Sequence, residues 1–173
     1  MDENTRKVMF SSENDEYETP VALYRALDDI FHFTLDPAAS DLSFMHPNYY
    51  TIEDDGLSLD WDGESCYVNP PYSQIKQWSS KAATEFLNNG TEVVLLAPSR
   101  TETKYWHENV WPVAHYILFV GGRLKFGNKV APEKGLYTAP FPSAVIMYTY
   151  LVFGESVADE LNKIGYLVNL WKI

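Results

Sequence analysis

The segment Asn69-Pro70-Pro71-Tyr72 combines residue types that can activate a poorly nucleophilic nitrogen. The amino group of an aromatic ring delocalises its lone pair into the ring, so it is planar and reacts slowly with an electrophile. The Asn69 side-chain oxygen and the Pro70 carbonyl can both accept hydrogen bonds from such a group and draw it towards tetrahedral geometry. The prolines hold the backbone extended and contribute no competing N–H donors. The segment therefore indicates methyl transfer to an amino nitrogen; the alternative is a proline-terminated turn that exposes a tyrosine.

Tyr72 provides an aromatic face beside these two acceptors. A base stacked inside a duplex cannot reach a pocket of this kind, so it must first leave the helix. Stacking on an aromatic side chain contributes about 1–3 kcal/mol per base and replaces part of the lost stacking. The amide of a glutamine poses the same nitrogen problem, so the segment indicates the type of nitrogen better than the polymer that carries it.

Hydrophobic patterns place this segment at the edge of a predicted sheet. Residues 66–68 form a short apolar strand that stops at Asn69, and residues 92–97 form a longer apolar run that stops at Pro98. Between them, apolar residues recur at helical spacing from Trp78 to Leu87. Continuous apolar strands that alternate with helices are typical of a parallel sheet buried on both faces. We therefore expect an α/β fold with a largely parallel sheet flanked by helices, and ligands at the carboxyl ends of its strands.

Other predicted elements surround this unit. Thr19 and Pro20 are predicted to be the N-cap and the first residue of a helix. A strand is expected at 31–35, where Asp36-Pro37 ends it. Further strands are predicted at 114–120, 143–151 and 166–170, and a further helix at 155–164.

The length of 173 residues suits a single domain. We assign that domain to residues 17–173, because residues 1–16 are polar and have no apolar period, which is typical of a flexible arm. Residues 121–142 are rich in glycine, proline and lysine, so we expect a functional, DNA-facing loop there.

The net charge of −11 argues against a polyanionic partner, because lysine and arginine normally supply much of the affinity for nucleic acid. The charge is uneven, however. Basic residues collect in the later half with few acids between them, at Arg100, Lys104, Arg123, Lys125, Lys129 and Lys134. We expect a basic face on an acidic protein; an ordinary solvated surface is the alternative.

The sequence carries no pattern of a metal or membrane protein. The four histidines have no metal-ligand spacing, and the single cysteine, Cys66, cannot complete a set, so no metal site is expected. Cys66 lies in an apolar stretch and is predicted to be buried filler. There is no signal-peptide pattern and no apolar run of about 20 residues, so we expect a soluble cytoplasmic protein. The sequence does not indicate an oligomeric state.

Six short segments occur in an order and spacing that are more specific together than any one alone. They are Tyr17-Glu18-Thr19-Pro20, Leu35-Asp36-Pro37-Ala38-Ala39, Asp55-Gly56-Leu57 followed by Trp61, Asn69-Pro70-Pro71-Tyr72-Ser73, Leu95-Leu96-Ala97-Pro98 and Gly122-Arg123-Leu124-Lys125-Phe126. With them, residues 17–150 resemble the small Dam-like phage DNA N6-adenine methyltransferases. The resemblance implies a Rossmann-like fold, S-adenosylmethionine as methyl donor, double-stranded DNA as substrate, and a phage or prophage origin in a bacterial cytoplasm.

The resemblance also implies roles for single residues. The implied catalytic residues are Asn69, Pro70 and Tyr72. The implied substrate contacts are Pro71, Ser73, Arg100, Lys104, Arg123 and Lys125. The implied cofactor contacts are Thr19, Pro20, Asp36, Ala38 and Asp55.

Within the cofactor set, Asp36 would accept from the ammonium group of the methionine part, and Thr19 with Pro20 would lie against its carboxylate. Asp55, or else Asp60, would lie near the adenosine. Turn capping is the alternative for Asp36 and Asp55, because Asp is common in turns. The sequence departs from many methyltransferases in having no glycine-rich loop after the predicted strand that ends at Asp36.

Other acceptors and another class of protein stay open at this point. Enzymes that methylate a glutamine amide on proteins share the Asn-Pro-Pro-Tyr segment, but carry a glycine-rich cofactor loop that is absent here. RNA adenine and cytosine N4 are further acceptors, and Asn rather than Ser at the first position favours adenine by resemblance. A non-catalytic DNA mimic would account for the net charge of −11, but it has no need of Asn69 or Tyr72.

Overall fold

The computed structural model describes residues 17–127 and 135–171. The helices are α1 (Val21–Phe31), α2 (Ile75–Asn89) and α3 (Glu155–Asn162). The strands are β1 (Ser65–Val68), β2 (Glu92–Pro98), β3 (Tyr116–Val120), β4 (Lys125–Phe126), β5 (Tyr137–Thr138), β6 (Ser143–Tyr148) and β7 (Gly165–Asn169). A 3₁₀ turn covers Tyr72–Gln74 and a short π-helix covers Trp106–Val110. The predicted mixture of helices and strands is confirmed, whereas the predicted arm at 1–16 lies outside the described residues.

Five of the strands form one sheet in the order β1-β2-β6-β3-β7. Only β1 and β2 pair in parallel, and the β2–β6, β6–β3 and β3–β7 pairs are antiparallel. The prediction of a largely parallel sheet is therefore wrong. All six residues of β6 are buried, so its apolar run reports a central strand. Such a run does not encode the direction of the strand.

The segment 121–142, predicted to be a functional, DNA-facing loop, contains regular structure where it is described. The strands β4 and β5 form a two-stranded antiparallel ribbon, with Lys125 opposite Thr138 and Phe126 opposite Tyr137. The chain thus reaches β6 through a ribbon, whereas a parallel neighbour usually follows a helical crossover. Residues 128–134 lie outside the described residues.

The region around α1 also differs from the prediction. Helix α1 begins at Val21 with Pro20 as its N-cap, and no side chain caps it. Phe31 ends this helix and does not start a strand. The expected strand at 31–35 is reduced to one parallel bridge, in which Leu35 pairs with Cys66 of β1.

The helices pack on opposite faces of the sheet. Helix α2 buries Trp78, Ala82 and Phe86 in a cluster that includes Leu95 of β2. Helix α1 buries Leu23, Leu27 and Phe31 in the other cluster, with Tyr67 of β1, and α3 adds Leu161 to it. Cys66 is fully buried in the first cluster, as predicted, and burial raises the pKa of its thiol.

Candidate active site

Asp36 and Asn69 face the same cavity because the segments that precede them are parallel. Leu35 bridges Cys66 in parallel, and Tyr67 N–H donates to the Leu35 carbonyl over 3.0 Å. Asp36 follows the first segment and Asn69 follows β1, so both emerge at the same edge of the sheet. Both line one cavity of about 370 Å³, which is within the range of small-molecule sites.

The cavity collects five of the residues predicted for the site. They are Thr19, Asp36, Ala38, Asn69 and Pro71. The sequence analysis missed Tyr17 and two stretches of the lining, most of residues 39–45 and residues 51–53. These stretches are irregular and have no hydrophobic period, so nothing in the sequence predicted that they turn towards Asp36. The acidic residues in these stretches, Asp41 and Glu53, are the feature of the sequence that could have marked them as candidates for the site.

Asn69 is held through its amide nitrogen. Nδ2 donates to the Tyr17 carbonyl over 2.6 Å and to the Thr19 hydroxyl oxygen over 3.1 Å. The side-chain oxygen Oδ1 is buried and has no hydrogen-bond partner in the described part of the chain. A buried acceptor without a donor is costly, at about 1–3 kcal/mol. Asn69 therefore presents an acceptor that a ligand amino group can satisfy.

Thr19 joins Asn69 to the sheet. Its side chain is buried, and its hydroxyl oxygen lies 2.8 Å from the hydroxyl oxygen of Tyr67 in β1. Burial raises the pKa of Tyr67, so this phenol stays protonated. Thr19 was predicted as a helix cap, and this prediction is wrong because its hydroxyl is used at the cavity.

Asp36 is a buried carboxylate that lines the cavity. Its Oδ2 accepts from Met45 N–H over 2.9 Å and its Oδ1 accepts from Ala38 N–H over 3.4 Å. Desolvation by burial raises the pKa of this carboxyl to about 6, against the effect of those two hydrogen bonds. An acid that is expensive to ionise attracts a cationic ligand, because the cation stabilises the charged form.

Tyr72 belongs to an aromatic group that includes residues from the β4–β5 region. Its ring stacks on Tyr17 with centroids 5.5 Å apart and meets Phe141 and Phe126 edge-on at 5.2 and 6.5 Å. Tyr17 also stacks on Tyr137 at 5.6 Å. The Tyr72 hydroxyl is buried without a partner among the described residues. The ring, rather than the hydroxyl, is therefore the part of Tyr72 with an evident use.

Asp55 and Asp60 are not brought to the cavity. Asp55 is exposed, has a positive φ of 56° and accepts from the Ser58 hydroxyl over 2.8 Å, as expected of a turn residue. Its neighbour Gly56 is buried, and a Cβ there would lie 2.1 Å from the Pro37 carbonyl oxygen. The Asp55-Gly56 pair thus packs the loop against the residue that follows Asp36.

The predicted basic residues differ in their surroundings. The Arg100 guanidinium lies 5.4 Å from the centre of the Phe141 ring, which itself contacts Tyr72. Arg123 donates to the Ala139 carbonyl over 3.4 Å. Lys104 and Lys125 are exposed. Ser73 is also exposed, next to Tyr72, while Lys129 and Lys134 lie outside the described residues.

The described residues form neither a metal site nor a membrane span. Over residues 17–127 and 135–171, no group of three histidine, cysteine or acidic side chains is arranged to hold a metal ion. Among the helices that the structure describes, none is both long and apolar enough to cross a membrane.

Comparison with known proteins identifies the family of the chain. A family model described as DNA N-6-adenine-methyltransferase (Dam) matches residues 6–157. The chain is also 27% identical to the DNA N-6-adenine-methyltransferase of Haemophilus phage HP1 (strain HP1c1) over 133 residues, which are 76% of this chain and 75% of that protein. These matches favour adenine in DNA over a protein glutamine, and an enzyme over a DNA mimic. The chain belongs to the DNA N-6-adenine-methyltransferase (Dam) family and is an adenine-specific DNA methyltransferase.

Proposed function

We propose that the protein transfers the methyl group of S-adenosylmethionine to the exocyclic N6 of an adenine that has left a DNA duplex, and that Asn69 accepts a hydrogen bond from that nitrogen. The observation that carries this assignment is the buried, unsatisfied Oδ1 of Asn69, at a cavity that also contains the carboxylate of Asp36. The parallel β1–β2 pair, with the cavity residue Asn69 at the carboxyl end of β1, supports a Rossmann-like arrangement of this half of the sheet. Because its substrate is DNA, we assign it to the cytoplasm of a bacterial host.

The residues at the cavity suit the cofactor. S-adenosylmethionine supplies an electrophilic methyl group on a sulfonium when it is bound. Its methionine part carries an ammonium group, and Asp36 is a buried acid at the cavity whose carboxylate accepts from the backbone N–H groups of Ala38 and Met45. Ala38 adds a small side chain beside Asp36, and Glu53 adds a further carboxylate to the lining. Asp36 thus binds the ammonium group, and Glu53 replaces Asp55 as the acid available to the adenosine.

Asn69 and Pro70 activate the amino group of the base. Oδ1 of Asn69 and the Pro70 carbonyl accept the two N–H bonds of N6, which localises the nitrogen lone pair and directs it at the incoming methyl carbon. Oδ1 is already desolvated, so it does not have to shed water when the base arrives. Such preorganised acceptors are worth more in a buried site than in water.

Tyr72 stacks on the base, and Pro71 and Ser73 lie on either side of it in sequence. In this structure one face of the Tyr72 ring is stacked by Tyr17, at an angle of 28°. A base that uses this face must displace the Tyr17 ring. Stacking of a base on this face of Tyr72 therefore requires the Tyr17 side chain to move away.

The DNA backbone binds the basic residues around this aromatic group. The Arg100 guanidinium lies over the Phe141 ring, and Phe141 contacts Tyr72. Arg100 therefore lies near the point where an extrahelical base would enter the site. Arg123, Lys104 and Lys125 extend the basic surface. With a net charge of −11, the protein needs this local concentration of positive charge to hold double-stranded DNA.

Methyl transfer with two substitutions tests the proposal. The purified protein is incubated with S-adenosylmethionine labelled in its methyl group and with unmethylated duplex DNA, and the modified nucleoside is identified by mass spectrometry. We expect N6-methyladenine. Asn69→Ala should abolish transfer and keep cofactor binding by calorimetry, whereas Asp36→Ala should mainly weaken cofactor binding. The reverse pattern would overturn the assignment of roles.

A further inference from the structure

We propose that Thr19, anchored by Tyr67, is a positioning residue that orients the Asn69 amide, so that Oδ1 and not Nδ2 faces the substrate nitrogen. This inference rests on the proposed role of Asn69 as an acceptor. It moves Thr19 from the cofactor, where the family resemblance had put it, to the acceptor side of the reaction. It also gives a function to Tyr67, which no sequence pattern had marked.

The orientation of the Asn69 amide decides what the site can do. An amide carries an acceptor on one side and two donors on the other, and reversing it would present N–H groups to the amino group of adenine. N–H donors cannot accept the N–H bonds of the adenine amino group, so they cannot localise its lone pair. The amide must therefore be fixed before the base arrives.

Two acceptors fix the amide in the productive orientation. Nδ2 has two protons, and the Tyr17 carbonyl at 2.6 Å and the Thr19 hydroxyl oxygen at 3.1 Å account for both. If the amide were reversed, Oδ1 would face the Tyr17 carbonyl at the same short distance, and two acceptors would repel each other. The Tyr17 acceptor is a backbone carbonyl, so only the hydrogen bond to the Thr19 hydroxyl can be removed by substituting a side chain.

Tyr67 keeps the Thr19 hydroxyl in place. The two hydroxyl oxygens are 2.8 Å apart, and both side chains are buried. The Tyr67 ring packs edge-on against Tyr24 at 5.1 Å and against Phe33 at 5.4 Å, so it has little freedom to move. The Thr19 oxygen can accept from Asn69 while one of the two hydroxyl protons fills the bond to Tyr67. The chain from Tyr67 through Thr19 to Asn69 thus carries the rigidity of β1 to the reacting group.

The test compares Thr19→Val, Thr19→Ser and Tyr67→Phe with matched controls. Thr91 is equally buried and donates to the Trp61 carbonyl, and Tyr148 is a buried strand tyrosine that donates to the Asn109 carbonyl. Thr91→Val and Tyr148→Phe therefore remove a buried hydroxyl of the same kind away from the site. Initial rates are measured against S-adenosylmethionine and DNA, and folding is followed by thermal denaturation.

We expect Thr19→Val to lower kcat by about tenfold to a hundredfold, the range for a buried donor left unpaired. The KM for S-adenosylmethionine should stay unchanged, since a loss confined to kcat marks an interaction made in the transition state. Thr19→Ser, which keeps the hydroxyl, should restore most of the activity, and Tyr67→Phe should give a smaller loss of kcat. Thr91→Val and Tyr148→Phe should leave kcat at the parent value.

Three outcomes would overturn the inference. A rise in the KM for S-adenosylmethionine at constant kcat would return Thr19 to the cofactor. An unchanged kcat in both Thr19→Val and Tyr67→Phe would reject the positioning role. If Asn69→Ala were inactive in the same assay, the proposed function would be retained without this inference. If Thr19→Val does not fold, Thr19→Ser and Tyr67→Phe decide: a loss in Tyr67→Phe no larger than that in Tyr148→Phe rejects the inference. A fully active Asn69→Ala would instead remove the proposed function.

Discussion

Binding of S-adenosylmethionine should depend on pH through Asp36. Burial raises the pKa of this carboxyl to about 6 in the unliganded protein, from an ordinary value of 3.8. An ammonium group bound beside it favours the ionised form and lowers the pKa again. Binding therefore releases a proton wherever the free protein holds one, and the affinity must rise as the pH rises through about 6.

The size of the effect follows from the pKa. If only the ionised form binds, the apparent Kd is multiplied by one plus the ratio of protonated to ionised carboxyl, which is about 1.1 at pH 7 and about 11 at pH 5. Affinity should therefore fall about tenfold between these pH values. The rise of the Asp36 pKa from 3.8 to about 6 also means that burial disfavours the ionised form over the protonated form by about 3 kcal/mol.

The same raised pKa predicts how the unliganded protein responds to pH. Asp36 ionises at a lower pH in the unfolded chain than in the folded protein. The free energy of unfolding therefore falls by about 3 kcal/mol as the pH rises from below 4 to above 6. The loss is complete above the folded pKa. S-adenosylmethionine should recover part of it, because the bound ammonium stabilises the ionised carboxylate in the folded state.

Calorimetric titrations at pH 5, 6 and 7 measure this linkage. Repeating the pH 6 titration in buffers of different ionisation enthalpy counts the protons, and about half a proton should be released at that pH. Asp36→Asn should bind weakly at every pH and show no such release. Asp41→Asn is the control, because Asp41 lines the same cavity but is exposed and accepts from the Tyr49 hydroxyl. A Kd that is the same at pH 5 and 7, or a dependence that survives in Asp36→Asn, would refute the role of Asp36.

Three further predictions concern the aromatic group and the loop packing. Tyr72→Phe should keep its activity, since its hydroxyl has no described partner, whereas Tyr72→Ala should raise the KM for DNA by about tenfold or more through lost stacking; equal losses would assign the role to the hydroxyl. Gly56→Ala should lower the free energy of unfolding by about 1–3 kcal/mol or more, because its Cβ would lie 2.1 Å from the Pro37 oxygen, and Gly154→Ala, which meets nothing within 4 Å, should cost less in the same denaturant titration. Tyr17→Ala should lower the KM for DNA about two- to tenfold, since the base no longer has to displace a stacked ring; a higher KM would show that the ring is a wall of the base site.

Sequence reasoning reached the central pair of the site because both residues follow strand-like segments. Apolar runs and prolines showed where the segment 31–35 and β1 end, so Asp36 and Asn69 could each be placed at the carboxyl end of a strand-like segment, where ligands are expected. The direction of β6 was not readable, because burial on both faces produces the same apolar run in either direction. The part of the cavity lined by residues 51–53 was missed because these residues are irregular, and their position depends on how the loop folds back.

Thr19 illustrates what a local pattern leaves out. A threonine before a proline is a good helix start, and that pattern supplied the prediction of an N-cap. The competing use of the hydroxyl involves Tyr67 and Asn69, which are 48 and 50 residues away in sequence. A partner at that separation has no local signature, and the buried bond prevails because a buried hydroxyl without a partner is costly.

Tyr17, which precedes α1, contacts both Asn69 and Tyr72. The Tyr17 carbonyl holds the Asn69 amide, while the Tyr17 ring stacks on Tyr72, where a base is proposed to bind. These two contacts have opposite requirements, since the backbone must stay for catalysis and the ring must move for binding. A rotation of the Tyr17 side chain about its own bonds meets both, because it frees the Tyr72 face without moving the carbonyl. On the proposed roles, the site would then admit a base while Asn69 keeps its orientation.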